Sequence, residues 1–378
     1  MLLTLTPDQE FFRETTARFL GERAPTSRLR RLRDDPAGFD ADYWARGAEL
    51  GWTSLLVSEA DGGGSVSGAG AVDLSLVAHE FGRHAAPGPL VDCNVAAFAL
   101  SQAGGERHRA ALDGLLCGAA IASCCIGAAP WRLGAGVAVE IRRDGDEVVV
   151  NGFARPAESA AQAANLLVTG QTDGRLTQVL APATSPGLRV KPLKTLDVTR
   201  RFAAVTFDDV RLPLSAVVGE IGGADAAFAH QAQAAGVILA AESTGAMEAA
   251  FEMTLEWAFN RYTFGRPLAS YQALKHRFAD MKSWLEAAHA ITDRAAAAVA
   301  AEAEDAADLV SAARAFVGRY GVELAQDCVQ LHGGIGVTYE HDLHFFLRRV
   351  TLDRMLYGAP DDHHQLLAGI EIERGEAA

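Results

Sequence analysis

Apolar positions along the chain follow three successive regimes. From Thr6-Pro7 to about Leu115, residues such as Phe11, Phe12, Phe19 and Leu20 recur at helical spacing or side by side along one face, which predicts a helical first domain over residues 1–117. From about Gly118 to Glu220 the period drops to two. Val137, Val139 and Ile141 alternate with other residues, Asp144-Gly145 supplies a tight turn, and Val148 to Val150 begin a return strand. Further turn signals at Asp173-Gly174 and Pro186-Gly187 adjoin extended pieces around Val179-Leu180, Val205 and Phe207. Residues 118–220 should therefore form a small antiparallel sandwich or barrel. After Gly222-Gly223 the helical period returns, through Val237, Ala241, Thr244, Phe251 and Leu255, then Leu274, Phe278, Met281, Leu285 and Ala288, then Leu309, Ala312, Phe316, Tyr320 and Leu324. With a last helix following Pro360, residues 221–378 read as a four-helix bundle. The fold class expected is mainly α with a central β domain.

Composition narrows the function without naming it. A chain of 378 residues can bury more than one core, and 49% hydrophobic with 22% charged residues is ordinary for a globular protein. The formal net charge of -14 argues against a nucleic-acid partner. No run approaches the roughly 18 apolar residues that cross a bilayer, and the first residues lack the apolar core of a signal peptide, so a cytoplasmic protein without membrane insertion is expected. Cys93, Cys117, Cys124, Cys125 and Cys328 are odd in number and lack paired spacing, so they are expected as buried small apolar residues, with neither disulfides nor a zinc site. The glycine-rich stretch from Glu59 to Gly68 lacks the Gly-Lys-Ser/Thr ending of a phosphate loop and reads as a plain loop.

Two segments carry chemistry. In Arg261 to Met281 a cation, a hydroxyl, an aromatic ring and a glutamine (Arg261, Thr263, Phe264 and Gln272) surround a Gly-Pro interruption between helical patterns. A pyrophosphate needs a guanidinium that binds its oxygens bidentately and neutral donors that fix its direction, which Arg261 and Thr263 could supply. On composition alone a solvated Arg at a helix end and a core Phe describe the segment better, and it is the spacing that changes this. In Gln330-Leu-His-Gly-Gly-Ile-Gly-Val-Thr-Tyr-Glu340, glycines remove side chains so that a backbone can approach a large group, or simply turn between two helices. His332, His341 and His344 lack acidic or cysteine partners at ligand spacing and read as surface or loop histidines, with no metal expected.

Both segments resemble signatures of the acyl-CoA dehydrogenase family, and the order of helical domain, β domain and helical bundle is the family's too, so the resemblance covers essentially the whole chain. Gly-Gly-Ile-Gly-Val-Thr-Tyr-Glu-His-Asp and Leu-Arg-Arg-Val at 347 to 350 are similar to its actinobacterial members. The resemblance implies FAD as cofactor and an oligomer. Arg261 and Thr263 would contact the pyrophosphate of a neighbour's FAD, Phe264 would pack against its flavin end, and Gln272 would sit further along that surface. Gln330, Leu331, Gly333 and Gly334 would lie against the ADP part. The implied activity is α,β-dehydrogenation of an acyl-CoA thioester, in which a carboxylate removes the proton next to the carbonyl while hydride passes to the flavin.

That carboxylate is missing where the family has it. One group of relatives carries a Glu before a Gly-Thr in the last domain, where this chain has Tyr357 followed by Gly358-Ala359; a second group carries it 26 residues before the Arg261 position, which here is Ala235. A phenol with a pKa of about 10 is a poor base near neutrality. Glu242 lies two helical turns beyond Ala235, about 10 Å along the axis. The flavin-holding loop and strand of typical members are replaced by Cys124-Cys-Ile-Gly-Ala-Ala-Pro-Trp131 and Ala154-Arg-Pro-Ala-Glu-Ser159. The resemblance therefore implies a base-lacking subunit that contributes to an FAD site shared with a second acyl-CoA dehydrogenase-like subunit, as in paired enzymes acting on bulky esters such as sterol side chains. A self-sufficient homodimer or homotetramer with an unconventional base, and a non-enzymatic acyl-CoA-binding or interaction protein, are the alternatives. Acyl-CoA substrate and an electron-transfer flavoprotein complete the expected partners.

Overall fold

A computed structural model of the chain describes residues 4–126 and 138–376, with side chains described to residue 369. Helices in chain order are α1 (Pro7–Arg23), α2 (Thr26–Leu29), α3 (Ala41–Glu49), α4 (Gly70–His84), α5 (Leu90–Ala103), α6 (Arg109–Leu116), α7 (Asp225–Asn260), α8 (Gln272–Ala300), α9 (Ala306–His332), α10 (Leu343–Asp353) and α11 (Pro360–Glu376). Strands are β1 (Ala122–Ile126), β2 (Val139–Asp144), β3 (Glu147–Glu158), β4 (Asn165–Thr172), β5 (Arg175–Pro182), β6 (Leu188–Pro192), β7 (Phe202–Pro213), β8 (Val217–Val218), and the short pair β9 (Tyr262–Thr263) and β10 (Arg266–Pro267). Helices at both ends and strands between them are what the apolar periods predict. Among the described residues, no helix is long and apolar enough to cross a membrane.

Contacts divide the chain into two compact units. One comprises Arg31–Gly70 and Pro87–Ala235. Its sheet runs in the order β6-β7-β3-β2-β4-β5-β8, with β1 added to β4. The turn signals work as expected: β2 and β3 close around Asp144↔Glu147, and β4 and β5 around Thr172↔Arg175, with Asp173 at φ 50 and Gly174 at φ 81. The sheet is mixed, because β1 and β2 each pair with β4 in parallel. Strands joined by short turns must run antiparallel, but β1 follows a helix and is free to do otherwise.

The other unit comprises residues 1–30, Ala71–Ala86 and Gly236–Ala378. Thr6 and Gln9 cap α1 reciprocally, yet the buried positions of α1 are Gln9, Thr16 and Leu20 while Phe11 is exposed. Gln9 is drawn inward because its amide donates to buried Asp73 at 2.8 Å, an interaction that apolar periodicity cannot register. On α8 the expected face of Phe278, Met281, Leu285 and Ala288 is buried. On α9 the buried face is turned slightly, to Val310, Ala313, Val317 and Leu324, and Phe316 and Tyr320 lie half-buried in a ring cluster with Trp284. That rotation brings Arg314 inside, where it donates to the carbonyls of Asp353 and Leu356 at 2.6 and 2.7 Å and satisfies the end of α10. α4 and α7 touch backbone to backbone. A Cβ on Gly82 would overlap the carbonyl oxygen of Glu242, and one on Gly245 that of His79.

Candidate functional site

The predicted phosphate-gripping segment is a two-residue hairpin between α7 and α8. Thr263 pairs with Arg266 and Tyr262 with Pro267, leaving Phe264 and Gly265 at the tip with φ of 51° and 81°. Two successive positive φ values make the primed turn that suits a right-handed strand twist. Its base is fixed: Leu268 N–H donates to the Arg261 carbonyl at 2.9 Å, Tyr271 Oη donates to the Thr263 carbonyl at 2.7 Å, and the Arg266 guanidinium lies 3.8 Å from the Tyr271 ring centre. Phe264 is 94% exposed. A bulky aromatic held in the left-handed region and open to water costs the fold both backbone strain and exposed apolar surface, a combination that points to use by something outside this chain.

The second segment begins where α9 ends. Gly333 takes φ 66, which only glycine adopts readily, and a Cβ at Gly333 or Gly334 would meet no heavy atom within 4 Å. Gly336 differs, since a Cβ there would press on the Val329 carbonyl oxygen at 2.6 Å. Gln330, Gly333 and Gly334 are exposed and Leu331 is half-buried. Arg261 and Gln272 are exposed and Thr263 is half-buried; Gln272 Nε2 lies 3.0 Å from His276 Nε2.

The two segments are joined through a residue that sequence reasoning passed over. The Arg261 guanidinium sits 5.8 Å from the Trp257 ring centre, and Trp257 stacks on His332 with centroids 5.3 Å apart and planes 19° apart. His332 in turn meets His341 edge to face at 4.5 Å and shares a hydrogen bond with the Cys328 carbonyl at 2.8 Å. His332 and His344 are therefore buried ring-stacking residues rather than surface histidines, and burial lowers the pKa of each. The helical spacing of Trp257 to Arg261 was the signal available in the sequence.

Such an arrangement fits a flat anionic group approached from outside the chain. Arg261 offers its forked donors, Phe264 an aromatic face, and the Gly333-Gly334 backbone an unobstructed edge, and no internal ion pair is recorded for Arg261 among the described residues. The two positions where the resemblance puts the base hold Ala235 and Tyr357. Ala235 is fully buried, and Tyr357 adopts φ 52 ahead of Gly358 at φ 103. Glu242 is buried and bonded to the guanidinium of Arg349, which also donates to the Ala86 carbonyl at 2.9 Å. A buried carboxylate bonded to a buried guanidinium in this way is held as a structural partner.

In the sheet unit, the strand where the resemblance puts flavin contacts is internally satisfied. Glu158 forms a two-pronged pair with Arg200, Nε to Oε1 at 2.6 Å and Nη2 to Oε2 at 2.5 Å, both side chains buried. Asp92 lies close enough to feel both charges and accepts the Cys124 N–H at 2.8 Å; burial first, then the charge of Glu158, raises its pKa well above the usual carboxylate range. These groups do not fit a flavin ring, because their polar atoms already face one another. Cys124 and Cys125 are buried, and residues 127–131 of the matching loop lie outside the described residues. Cys93 and Cys328 are buried as expected, while Cys117, at the end of α6 with its helix terminus open to solvent, is exposed.

Comparison with known proteins now bears on this geometry. The family model described as acyl-CoA dehydrogenase, C-terminal domain, matches residues 226–368, and that for the N-terminal domain matches residues 6–116. The chain belongs to the acyl-CoA dehydrogenase family. It is 30% identical to acyl-CoA dehydrogenase IpdE2 of Mycobacterium tuberculosis over 99% of this chain and 100% of that protein. Against acyl-CoA dehydrogenase FadE34 of the same organism it is also 30% identical, over 92% of this chain and 46% of the longer relative. Among solved structures, a variant of the Tcur3481-Tcur3483 steroid ACAD superposes with a TM-score of 0.86 at 26% identity, covering 98% of this chain and 99% of that one. Butyryl-CoA dehydrogenase from Megasphaera elsdenii shares the fold with a TM-score of 0.87 at 21% identity, over 98% and 100%. The acyl-CoA dehydrogenase fold predicted from periodicity and motifs is thus the fold the chain has.

Proposed function

We propose that this chain is the base-lacking subunit of a hetero-oligomeric acyl-CoA dehydrogenase, and that it lends one half of an FAD site to a partner subunit carrying the catalytic carboxylate. The observation that carries the reading is a contrast within one chain: Ala235 and Tyr357 stand at both base positions, while the Arg261 hairpin is outward-facing and complete. FAD, when bound, supplies the hydride acceptor. Arg261 grips pyrophosphate oxygens through its fork, Thr263 adds a neutral donor, and Phe264 covers the flavin end. Gln272 extends that surface, and Gln330, Leu331, Gly333 and Gly334 form the edge against the ADP part. Trp257 and His332 hold the two edges in register.

The substrate in this reading is a bulky acyl-CoA thioester such as one with a sterol side chain, in keeping with the likeness to the steroid ACAD, whose name couples Tcur3481 with Tcur3483. An electron-transfer flavoprotein would re-oxidise the cofactor, and the complex would be cytoplasmic. The test is co-expression with a candidate acyl-CoA dehydrogenase chain that retains the Glu, followed by an acyl-CoA-dependent dye-reduction assay. Activity of the pair that is absent from either chain alone supports the reading; full activity of this chain by itself overturns it.

A further inference from the structure

The strongest cluster of ligating side chains lies outside the FAD half-site, in the interior of the helical unit. His79 on α4, Glu248 on α7 and His289 on α8 each offer one ring nitrogen or carboxylate oxygen, all within 4.8 Å of one another. Nε2 of His79 is 3.1 Å from Oε2 of Glu248, and Nε2 of His289 is 3.7 Å from Oε1 of the same carboxylate. Both imidazoles are buried, and neither ring nitrogen of His79 makes a hydrogen bond of acceptable geometry. His79 lies between two carboxylates, Glu248 on its Nε2 and Glu80 on its Nδ1.

From this geometry we infer a binding site for one divalent transition-metal ion of the zinc class, held by His79 Nε2, His289 Nε2 and the Glu248 carboxylate. Two imidazoles and a carboxylate are a ligand set that such ions prefer, with a fourth position left for water. Tetrahedral coordination at metal–ligand distances near 2.1 Å sets ligand atoms roughly 3.4 Å apart, so a separation of 4.8 Å must close by about 1.4 Å. The supporting groups are already present. Oε1 of Glu80 lies 3.6 Å from His79 Nδ1, the ring nitrogen not facing Glu248, where an orienting carboxylate belongs. Arg83 holds Oε2 of Glu248 at 2.7 Å and is itself shared with Glu252, which fixes the carboxylate but also adds a positive charge nearby. Around it stand Glu80, Glu248, Glu252 and, facing His289 and paired with Lys282, Glu286, so carboxylates outnumber the Arg83 and Lys282 cations. Backbone contact between α4 and α7 at Gly245 and His79 makes the frame rigid where two of the ligands depart from it. Cysteine and histidine spacing along the sequence could not bring these three residues together, since they lie far apart on three helices.

The probe is Co2+, with Zn2+ as competitor, added to the chelator-treated full-length chain without FAD, acyl-CoA or partner, so that the outcome is separate from the fate of the paired-subunit reading. The expected result is about one Co2+ per chain with visible d–d absorption, displaced by Zn2+, and at least a tenfold weaker affinity in both His79→Gln and His289→Gln. Because those variants could misfold, the wild-type chain also provides an independent measure through 15N NMR of its imidazoles. Zn2+ should shift the ring nitrogens of His79 and His289 at one equivalent. Absence of bound Co2+, undiminished binding in folded variants, or unmoved His79 and His289 resonances would each overturn the site and leave a buried, proton-bridged His79–Glu248 pair instead.

Discussion

The hairpin between α7 and α8 and the β3 strand of the sheet unit both fall where the family's resemblance puts cofactor contacts, and they treat their polar groups in opposite ways. Arg261 and Gln272 face solvent and Phe264 is strained and exposed, whereas Glu158 and Arg200 are buried and bonded to each other. The contrast bears on the proposal that this chain lends one half of a shared site. Groups meant for a ligand on another subunit must stay unmatched within their own chain, while groups that have lost a ligand must be matched internally or cost the fold stability.

Breaking the internal match should have the largest effect. Glu158→Ala strands Arg200 in the sheet unit and should lower stability by about 3–5 kcal/mol in urea unfolding, and the double change Glu158→Leu with Arg200→Leu should recover most of it. If the single change proves nearly neutral, the strand is not self-contained. On the outward side, Arg261→Ala should leave the fold unchanged within about 0.5 kcal/mol. In the partnered complex the same change should weaken FAD binding by about 1.5–3 kcal/mol, measured by flavin fluorescence titration.

A pH experiment sharpens the contrast further. Asp92 has its folded pKa raised by burial and by Glu158, so the folded state holds its proton more tightly than the unfolded chain does. Its favourable contribution is complete below the unfolded value of about 3.9 and is lost as pH rises through the folded value. Asp92→Asn, which keeps an oxygen for the Cys124 N–H, should therefore stabilise the protein near neutrality by about 1–3 kcal/mol, with the gain shrinking as pH falls toward 4. Stability curves for the two proteins that run parallel across this range would contradict the assignment. The smallest effect expected is that of Phe264→Ala, within about 0.5 kcal/mol of wild type in isolation because the ring is almost fully exposed. Its consequence should appear only as looser association with the partner.

Much of this was legible before any coordinates. Turn residues at 144–145 and 173–174 fixed two hairpins, and the apolar period located the long helices, since both depend on local geometry. What escaped depends on long-range polar contacts. Gln9 turned inward to reach Asp73, Arg314 turned α9, and Trp257 joined the Arg261 hairpin to the Gly333-Gly334 loop through His332, and none of these leaves a periodic trace. The parallel pairing of β1 was hidden for a related reason, because only a tight turn dictates direction.

The central claim is tested most directly by counting flavin per chain after purification, with and without a base-bearing partner. The account predicts that this chain emerges colourless alone and that the complex holds FAD. A yellow protein with one FAD per chain in the absence of any partner would contradict it.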